Sequence, residues 1–166
     1  MAGGSSGGKI VLFTSKGAAL GLIPVEIQIC STIRPEGEQE PEIIRQQVKG
    51  KLTEKGEEWV LRYMENENTS EEVRTSVKSH TDQVTVVRQG SVSYRQTYQP
   101  GASTESMVYT PAGNTEMYVE TLIYGREGTP QQGQIFFSFL LSMGGQRLGT
   151  YQLELVWKED QTSEST

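Results

Sequence analysis

The stretch from Val84 to Tyr124 restricts the possible fold of this chain more than any other part of the sequence. It is rich in β-branched and aromatic residues, its side chains alternate, and three turn signals divide it, at Gln89–Gly90, Gln99–Gly101 and Pro111–Gly113. Alternation with a period of two is typical of half-buried strands, and a proline followed by a glycine suits a type II turn. The stretch therefore predicts the centre of an up-and-down β-meander.

Similar strand patterns lie on both sides of this stretch. Alternating segments occur at 24–33, 43–53, 58–64, 73–78, 135–141 and 147–157. Gly50 interrupts the second of them and predicts a bulge or a bend. The whole chain then contains about ten strands at hairpin spacing and no convincing helix.

Short connections between these strands indicate antiparallel neighbours, and closing the sheet on itself removes its exposed edges. The sequence therefore predicts an all-β fold, a single antiparallel up-and-down β-barrel of about eight to ten strands. A β-sandwich is the alternative. We expect the barrel to span residues 24–158 and a polar tail to span 159–166. Residues 1–23 are interpreted as an added linker or a poorly ordered N-terminal extension, in which 9–14 could add a strand to the sheet edge.

Charge and cysteine content narrow the classes of function. The 166 residues carry a formal net charge of -6, which argues against nucleic acid as a partner, although Arg88 and Arg95 are candidates for a local basic patch. The single cysteine, Cys30, excludes an intrachain disulfide and a cysteine zinc site. No apolar run is long enough to span a membrane or to form a signal-peptide core. We expect a cytoplasmic protein without cofactors and without a membrane partner.

No arrangement of residues predicts catalysis or a metal site. His80 is the only histidine and stands beside a turn, where a solvent-exposed role is favoured. Ser79 and Asp82 are too close to it in sequence to suggest a catalytic triad. Glu116 and Glu120 would lie about 13 Å apart along one strand, too far for direct acid–base cooperation.

Several short motifs occur in a fixed order along the predicted barrel: Arg88–Gly90, Tyr94–Ser103, Tyr109–Gly113, Val119–Thr121, Phe137–Phe139 and Tyr151–Leu153. In this order and spacing they resemble the YwiB-like family of small, uncharacterised bacterial proteins, from about Pro24 to Lys158. The resemblance implies a calycin or lipocalin-like barrel. It supplies no activity, ligand or catalytic residue.

The pattern favours a non-enzymatic protein that binds a small hydrophobic or amphipathic, anionic ligand in the barrel. Tyrosine offers an apolar ring with a polar tip, and arginine can neutralise a carboxylate or a phosphate. The alternatives are tyrosines that only fill the interior, a homodimerising interaction protein with exposed aromatic residues, and an enzyme of unidentified reaction. The candidate ligand-binding residues are Arg62, Arg88, Tyr94, Arg95, Tyr98, Tyr109 and Tyr118.

Overall fold

A computed structural model of the chain describes residues 21–37 and 40–160. These residues form ten β-strands and no α-helix, as the sequence predicts. The strands are β1 (Leu22–Pro35), β2 (Glu42–Lys55), β3 (Glu58–Glu65), β4 (Val73–Ser79), β5 (Val84–Gly90), β6 (Tyr94–Tyr98), β7 (Ser103–Thr110), β8 (Gly113–Gly128), β9 (Gln132–Met143) and β10 (Gln146–Glu159).

All ten strands belong to one antiparallel sheet that is nearly closed into a barrel. The strand order is β6-β5-β4-β3-β2-β1-β10-β9-β8-β7, so β6 and β7 are the two ends of the sheet. These ends meet at Ser93 and Tyr109, whose backbone N–H groups donate to each other's carbonyl oxygens at 2.9 Å. The Gln96 side-chain amide also donates to the Ser106 hydroxyl at 3.2 Å. A single, nearly closed sheet confirms the barrel prediction over the sandwich.

Alternation places one face of every strand inside the barrel, where the hydrophobic core lies. Val25, Ile27 and Ile29 of β1 face inward, and residues of the same register on neighbouring strands pack against them. The largest fully buried side chains include Trp157 and Phe137. Burial of this apolar surface is the main stabilising contribution expected for a barrel of this size.

A β-bulge in β8 changes which residues face the core. The register with β9 shifts between Thr121 and Ile123, so that Leu122 is an extra residue. The sequence pattern places Ile123 on the same face as Thr121, and this prediction is wrong. Leu122 and Ile123 are both about half exposed, and the inward positions beyond the bulge belong to Tyr124 and Arg126.

Arg126 closes one end of the barrel. Its guanidinium donates to the carbonyl oxygens of Glu57 and Ser79, each at 2.8 Å, and lies 3.9 Å from the centre of the Trp59 ring. Trp59 in turn meets Trp157 edge to face, with ring centroids 5.9 Å apart. Both tryptophans are buried inside, so they do not form the exposed aromatic patch considered for dimerisation.

The opposite end of the barrel has a wall of uneven height. Residues 50–55 of β2 pair with β3, whereas residues 42–49 pair with β1 alone. The shorter strands β3 to β6 therefore form a low side, and the extended hairpin of β1 and β2 forms a high side. This difference leaves an opening between the upper part of β2 and the end of β3.

The ends of the barrel differ slightly from the predicted domain boundaries. Strand β1 begins at Leu22, two residues before the predicted start at Pro24, and β10 ends at Glu159. Residues 1–20 of the predicted N-terminal linker and 161–166 of the predicted polar tail lie outside the described residues. Within the described part of the chain, no helix has the length and apolar character needed to cross a membrane.

Gly50 stands where β2 passes closest to β3. The register runs through it without a shift, so the predicted bulge is absent. A Cβ atom at this position would lie 2.4 Å from the Arg62 carbonyl oxygen and 2.9 Å from Ile27 Cδ1. Close approach of two backbones therefore accounts for this glycine.

Replacing Gly50 by alanine tests this explanation. Alanine is normally better than glycine inside a strand by roughly 0.5–1 kcal/mol. Here we expect Gly50→Ala to lower the free energy of unfolding by about 1–3 kcal/mol, because the added methyl group would overpack against backbone. Urea denaturation measures the change, with Lys51→Ala as the neighbouring control. A Gly50→Ala variant as stable as the parent would contradict the explanation.

Candidate functional site

The open end of the barrel contains a cavity of about 280 Å³. Ile44 and Gln46 of the high side line its mouth together with Glu65 at the end of β3. The depth of the cavity is apolar and aromatic, whereas its upper wall carries a small number of polar groups. Concave apolar sites with a few placed polar groups are typical of small-molecule binding sites.

Four aromatic rings form the apolar side of the cavity. Tyr98 contacts Phe137 and Phe139, with ring centroids 4.6 and 4.7 Å apart, and Phe139 stacks on Tyr151 at 5.7 Å. All four line the cavity. Phe139 and Tyr151 are directly opposite each other in the β9–β10 ladder, whereas Tyr98 belongs to β6, and barrel closure brings its ring against those of β9.

Arg88 is the cation of the cavity. Its guanidinium donates to the Glu65 carboxylate and lies 5.8 Å from the centre of the Tyr94 ring. Burial disfavours the charged guanidinium, but Tyr94 and Glu65 more than offset this effect and raise the pKa of Arg88 above its ordinary value. Arg88 therefore remains charged inside the cavity.

The hydroxyls of Tyr63, Tyr94 and Tyr98 stay protonated. Burial, together with the nearby Glu65 carboxylate, raises the pKa of Tyr63 far above its usual range. Burial likewise raises the pKa of Tyr98 well above 10, and it raises the pKa of Tyr94 despite the opposing effect of Arg88. Neutral phenols can donate hydrogen bonds, so the cavity presents several donors.

Thr75 adds a polar group without a partner. It lines the cavity, is 3% exposed, and its hydroxyl makes no hydrogen bond within residues 21–37 and 40–160. Buried polar atoms are nearly always satisfied, so this hydroxyl marks a place where a ligand atom would be stabilised.

The structure brings together three of the seven candidate residues named from the sequence. Arg88, Tyr94 and Tyr98 line the cavity. The other four lie on the outer face because they occupy the opposite parity of their strands, and Tyr109 and Tyr118 are 51% and 39% exposed. A cavity ligand cannot reach these outward residues, which are Arg62, Arg95, Tyr109 and Tyr118.

Sequence reasoning missed Glu65, Thr75, Tyr63 and Tyr151. Glu65 was interpreted as the start of a polar connection, yet it continues the inward parity of Tyr63 on β3. Thr75 shares a face with Val73 and Val77 in β4, and nothing in this pattern marks it as a ligand contact. Strand alternation shows which residues share a face with each of these four. Only the pairing of the strands shows that this face is the inner one and that the four lie close together.

The residues that the sequence offers as catalytic candidates lie outside the cavity. The His80 ring contacts the Glu58 carboxylate at 3.2 Å beside the closed end of the barrel. Cys30 is partly exposed and does not line the cavity. Across the part of the chain that the structure describes, no group of three or more His, Cys, Asp or Glu residues is placed to hold a metal ion.

Comparison with known proteins identifies the family. Residues 27–155 match the family described as a domain of unknown function, DUF1934, and the chain belongs to this family. The chain is also similar to the solved structure of the ywiB protein from Bacillus subtilis, with 23% identity and a TM-score of 0.72. That match covers 84% of this chain and 93% of the other. The resemblance to YwiB-like proteins is thus confirmed. No curated protein matches the sequence.

The raised pKa values of Tyr63 and Tyr98 predict loss of stability at alkaline pH. In the unfolded chain a tyrosine ionises near pH 10, whereas in the folded barrel these two stay protonated. Their contribution to stability is complete below pH 10 and decreases as the pH rises toward the folded-state pKa. Each tyrosine should account for about 1.4 kcal/mol of lost stability per pH unit above 10.

Phenylalanine variants test this dependence, because they remove the ionisable group and keep the ring. We expect Tyr63→Phe and Tyr98→Phe each to flatten the decline in unfolding free energy between pH 9 and about 11, measured by urea denaturation. A decline that is equally steep in the parent and in both variants would contradict the assignment.

Proposed function

We propose that this protein is a non-enzymatic binding protein whose barrel cavity holds a small amphipathic anion. The observation that carries the proposal is a partly buried, charged Arg88 in an otherwise largely apolar cavity, beside protonated tyrosines and the unpaired Thr75 hydroxyl. The calycin or lipocalin-like character implied by the family resemblance would agree with such a role.

The donor groups of the cavity define the polar end of the ligand. A guanidinium has five N–H donors, and the contact with Glu65 occupies only part of them. Tyr63, Tyr94 and Thr75 add hydroxyl groups on the same wall. The guanidinium donates only, and each hydroxyl can donate as well as accept, so a carboxylate, phosphate or sulfonate would find several donors on this wall.

The aromatic wall and the size of the cavity define the rest of the ligand. Tyr98, Phe137, Phe139 and Tyr151 offer ring faces and edges to an apolar or aromatic body. A volume of about 280 Å³ is near the lower end for ligand sites, so the ligand is small.

A binding role fits the cavity better than a catalytic one. Within the described residues, the cavity contains no cysteine or histidine, and its one carboxylate, Glu65, is engaged by Arg88. A nucleophile with an adjacent base is the arrangement that covalent catalysis requires. The single, partly exposed Cys30 fits a reducing compartment, which supports the cytoplasmic location as part of this proposal.

An anionic aromatic dye such as anilinonaphthalene sulfonate provides the test. We expect saturable binding to the protein, displaced by aromatic or fatty carboxylates, and native mass spectrometry should show one molecule per chain. Arg88→Gln should weaken binding by about 10- to 100-fold, because it removes hydrogen bonds from a charged donor. Arg95→Gln is the matched control, since that arginine lies on the outer face of the next strand.

Thr75→Val separates binding from folding. This isosteric change removes a buried hydroxyl that lacks a partner, so the free energy of unfolding should be unchanged or increase by about 1 kcal/mol. Dye affinity should fall nevertheless. If no anionic or neutral amphipathic compound binds, or if Arg88→Gln and Arg95→Gln bind the dye equally well, the proposal is wrong.

A homodimer is the second candidate, favoured by an exposed row on the outer face of β7 and β8. Met107, Tyr109 and Tyr118 are between 37% and 51% exposed, and in the β7–β8 ladder Met107 is the diagonal neighbour of Tyr118. Apolar patches of this kind often mark interaction surfaces. Light scattering should show a dimer that Tyr118→Ser and Tyr109→Ser dissociate. A monomer at all accessible concentrations would exclude this candidate.

A further inference from the structure

The upper half of β2 has a free edge. Residues 42–49 pair with β1 on one side, and no described strand pairs with their other side, because β3 joins β2 only from Gly50 onward. Residues 42–47 are all exposed. An unpaired edge presents backbone N–H and C=O groups that can bind another strand. We call residues 42–49 the free edge.

Cations concentrate on the outer face of the strands that follow. The ladder registers place eight cations at outward positions of β2 to β6, namely Arg45, Lys55 and the six named below, although the whole protein has a net charge of -6. The one carboxylate at an outward position of these five strands is that of Glu58, which contacts His80. We call the six the cationic face: Lys49, Lys51, Arg62, Arg74, Lys78 and Arg95.

Neighbouring carboxylates neutralise the cationic face only in part: Glu26 is opposite Lys49 in the β1–β2 ladder, and Glu67 borders the same surface hollow as the cations. Lys51 and Arg62 are directly opposite each other in the β2–β3 ladder, where like charges are destabilising. Lys49 pairs with Asp160 at 3.3 Å, but Lys51, Arg62 and Arg74 form no ion pair within residues 21–37 and 40–160. An anionic partner would relieve this repulsion, so the charge of the face favours an acidic occupant.

The side chains on the outer face favour one class of anionic partner over the others. Single-stranded nucleic acid is usually held by stacking on aromatic side chains, but the aromatic residues of β3 and β6 all face the interior of the barrel. An anionic membrane surface would need a cluster of exposed apolar side chains for insertion, but here Ile43 is 51% exposed and the outward Val60 only 5%. An extended polypeptide uses both features that are present, namely backbone groups of the free edge and carboxylate partners for the cations.

We propose that the free edge binds an extended acidic segment of a partner protein as an added strand. Backbone hydrogen bonds to residues 42–49 supply the pairing, and side chains of the segment alternate between the two faces. Its outward carboxylates contact Arg45 and Lys49 and extend toward Lys51 and Arg62, while its inward apolar side chains lie next to Ile44, which is 38% exposed.

The test uses the full chain and a labelled peptide of about ten residues that alternates Glu and Val, a pattern suited to strand pairing. Fluorescence anisotropy should show saturable binding that weakens with salt. Charge reversal by Lys51→Glu with Arg62→Glu should reduce affinity about tenfold or more. The control pair Arg147→Glu with Lys158→Glu makes the same change of net charge on exposed residues of β10, which β1 separates from the free edge, and should have a much smaller effect.

Methylated peptides distinguish strand addition from general charge attraction. N-methylation at alternate residues should abolish binding when it falls on the residues whose N–H groups face β2, and should be tolerated at the other set. Equal effects of both sets, or none, would overturn the proposal, as would the absence of binding.

Three further outcomes would assign the edge to another occupant and also overturn the proposal. One is tighter binding of an oligothymidine that the Lys51→Glu, Arg62→Glu variant abolishes. Another is a dimer of the protein that the same peptide fails to dissociate. The third is peptide binding that appears only after residues 1–20 are removed. Arg88→Gln should leave peptide binding unchanged, so this test is independent of the cavity ligand.

Discussion

Backbone hydrogen bonding around a single sheet determines where this molecule is closed and where it is open. Each strand requires a partner on both sides, and the contact between β6 and β7 at Ser93 and Tyr109 completes the ring. The strands are unequal, however, since β2 spans fourteen residues and β3 only eight. Pairing therefore fails along residues 42–49, and both the cavity mouth and the free edge result from this mismatch.

Alternation on each strand then separates the charges into two environments. Arg88 faces inward and Arg95 outward, although they lie on adjacent strands in the same part of the sequence. Inside, a charge must be paired, and Glu65 supplies the partner. Outside, water screens the repulsion between Lys51 and Arg62, so the fold tolerates their opposition. The protein therefore has a positively charged outer surface on these strands although its net charge is negative.

Local pattern was enough to predict the barrel, but only part of the site. Turn signals and period-two alternation do not depend on distant contacts, so strands such as β5 and β9 are evident from sequence. Which parity faces inward is decided by the neighbouring strands, and this is why Tyr109 and Tyr118 were placed with Tyr94 and Tyr98 in one candidate site. The bulge at Leu122 could not be predicted for the same reason, because it depends on how β8 pairs with β9.

The two proposed binding surfaces share one strand, and this has a thermodynamic consequence. Ile44 and Gln46 line the cavity mouth, and they belong to the same residues whose backbone forms the free edge. A strand added to that edge would lie beside the opening between β2 and β3, with its inward side chains next to Ile44 and Gln46. If the added strand changes the affinity of the cavity for its ligand, the ligand must change the affinity of the edge by the same factor. In that case the difference in strand length between β2 and β3, which opens the cavity, would also make ligand binding in the cavity depend on the partner protein.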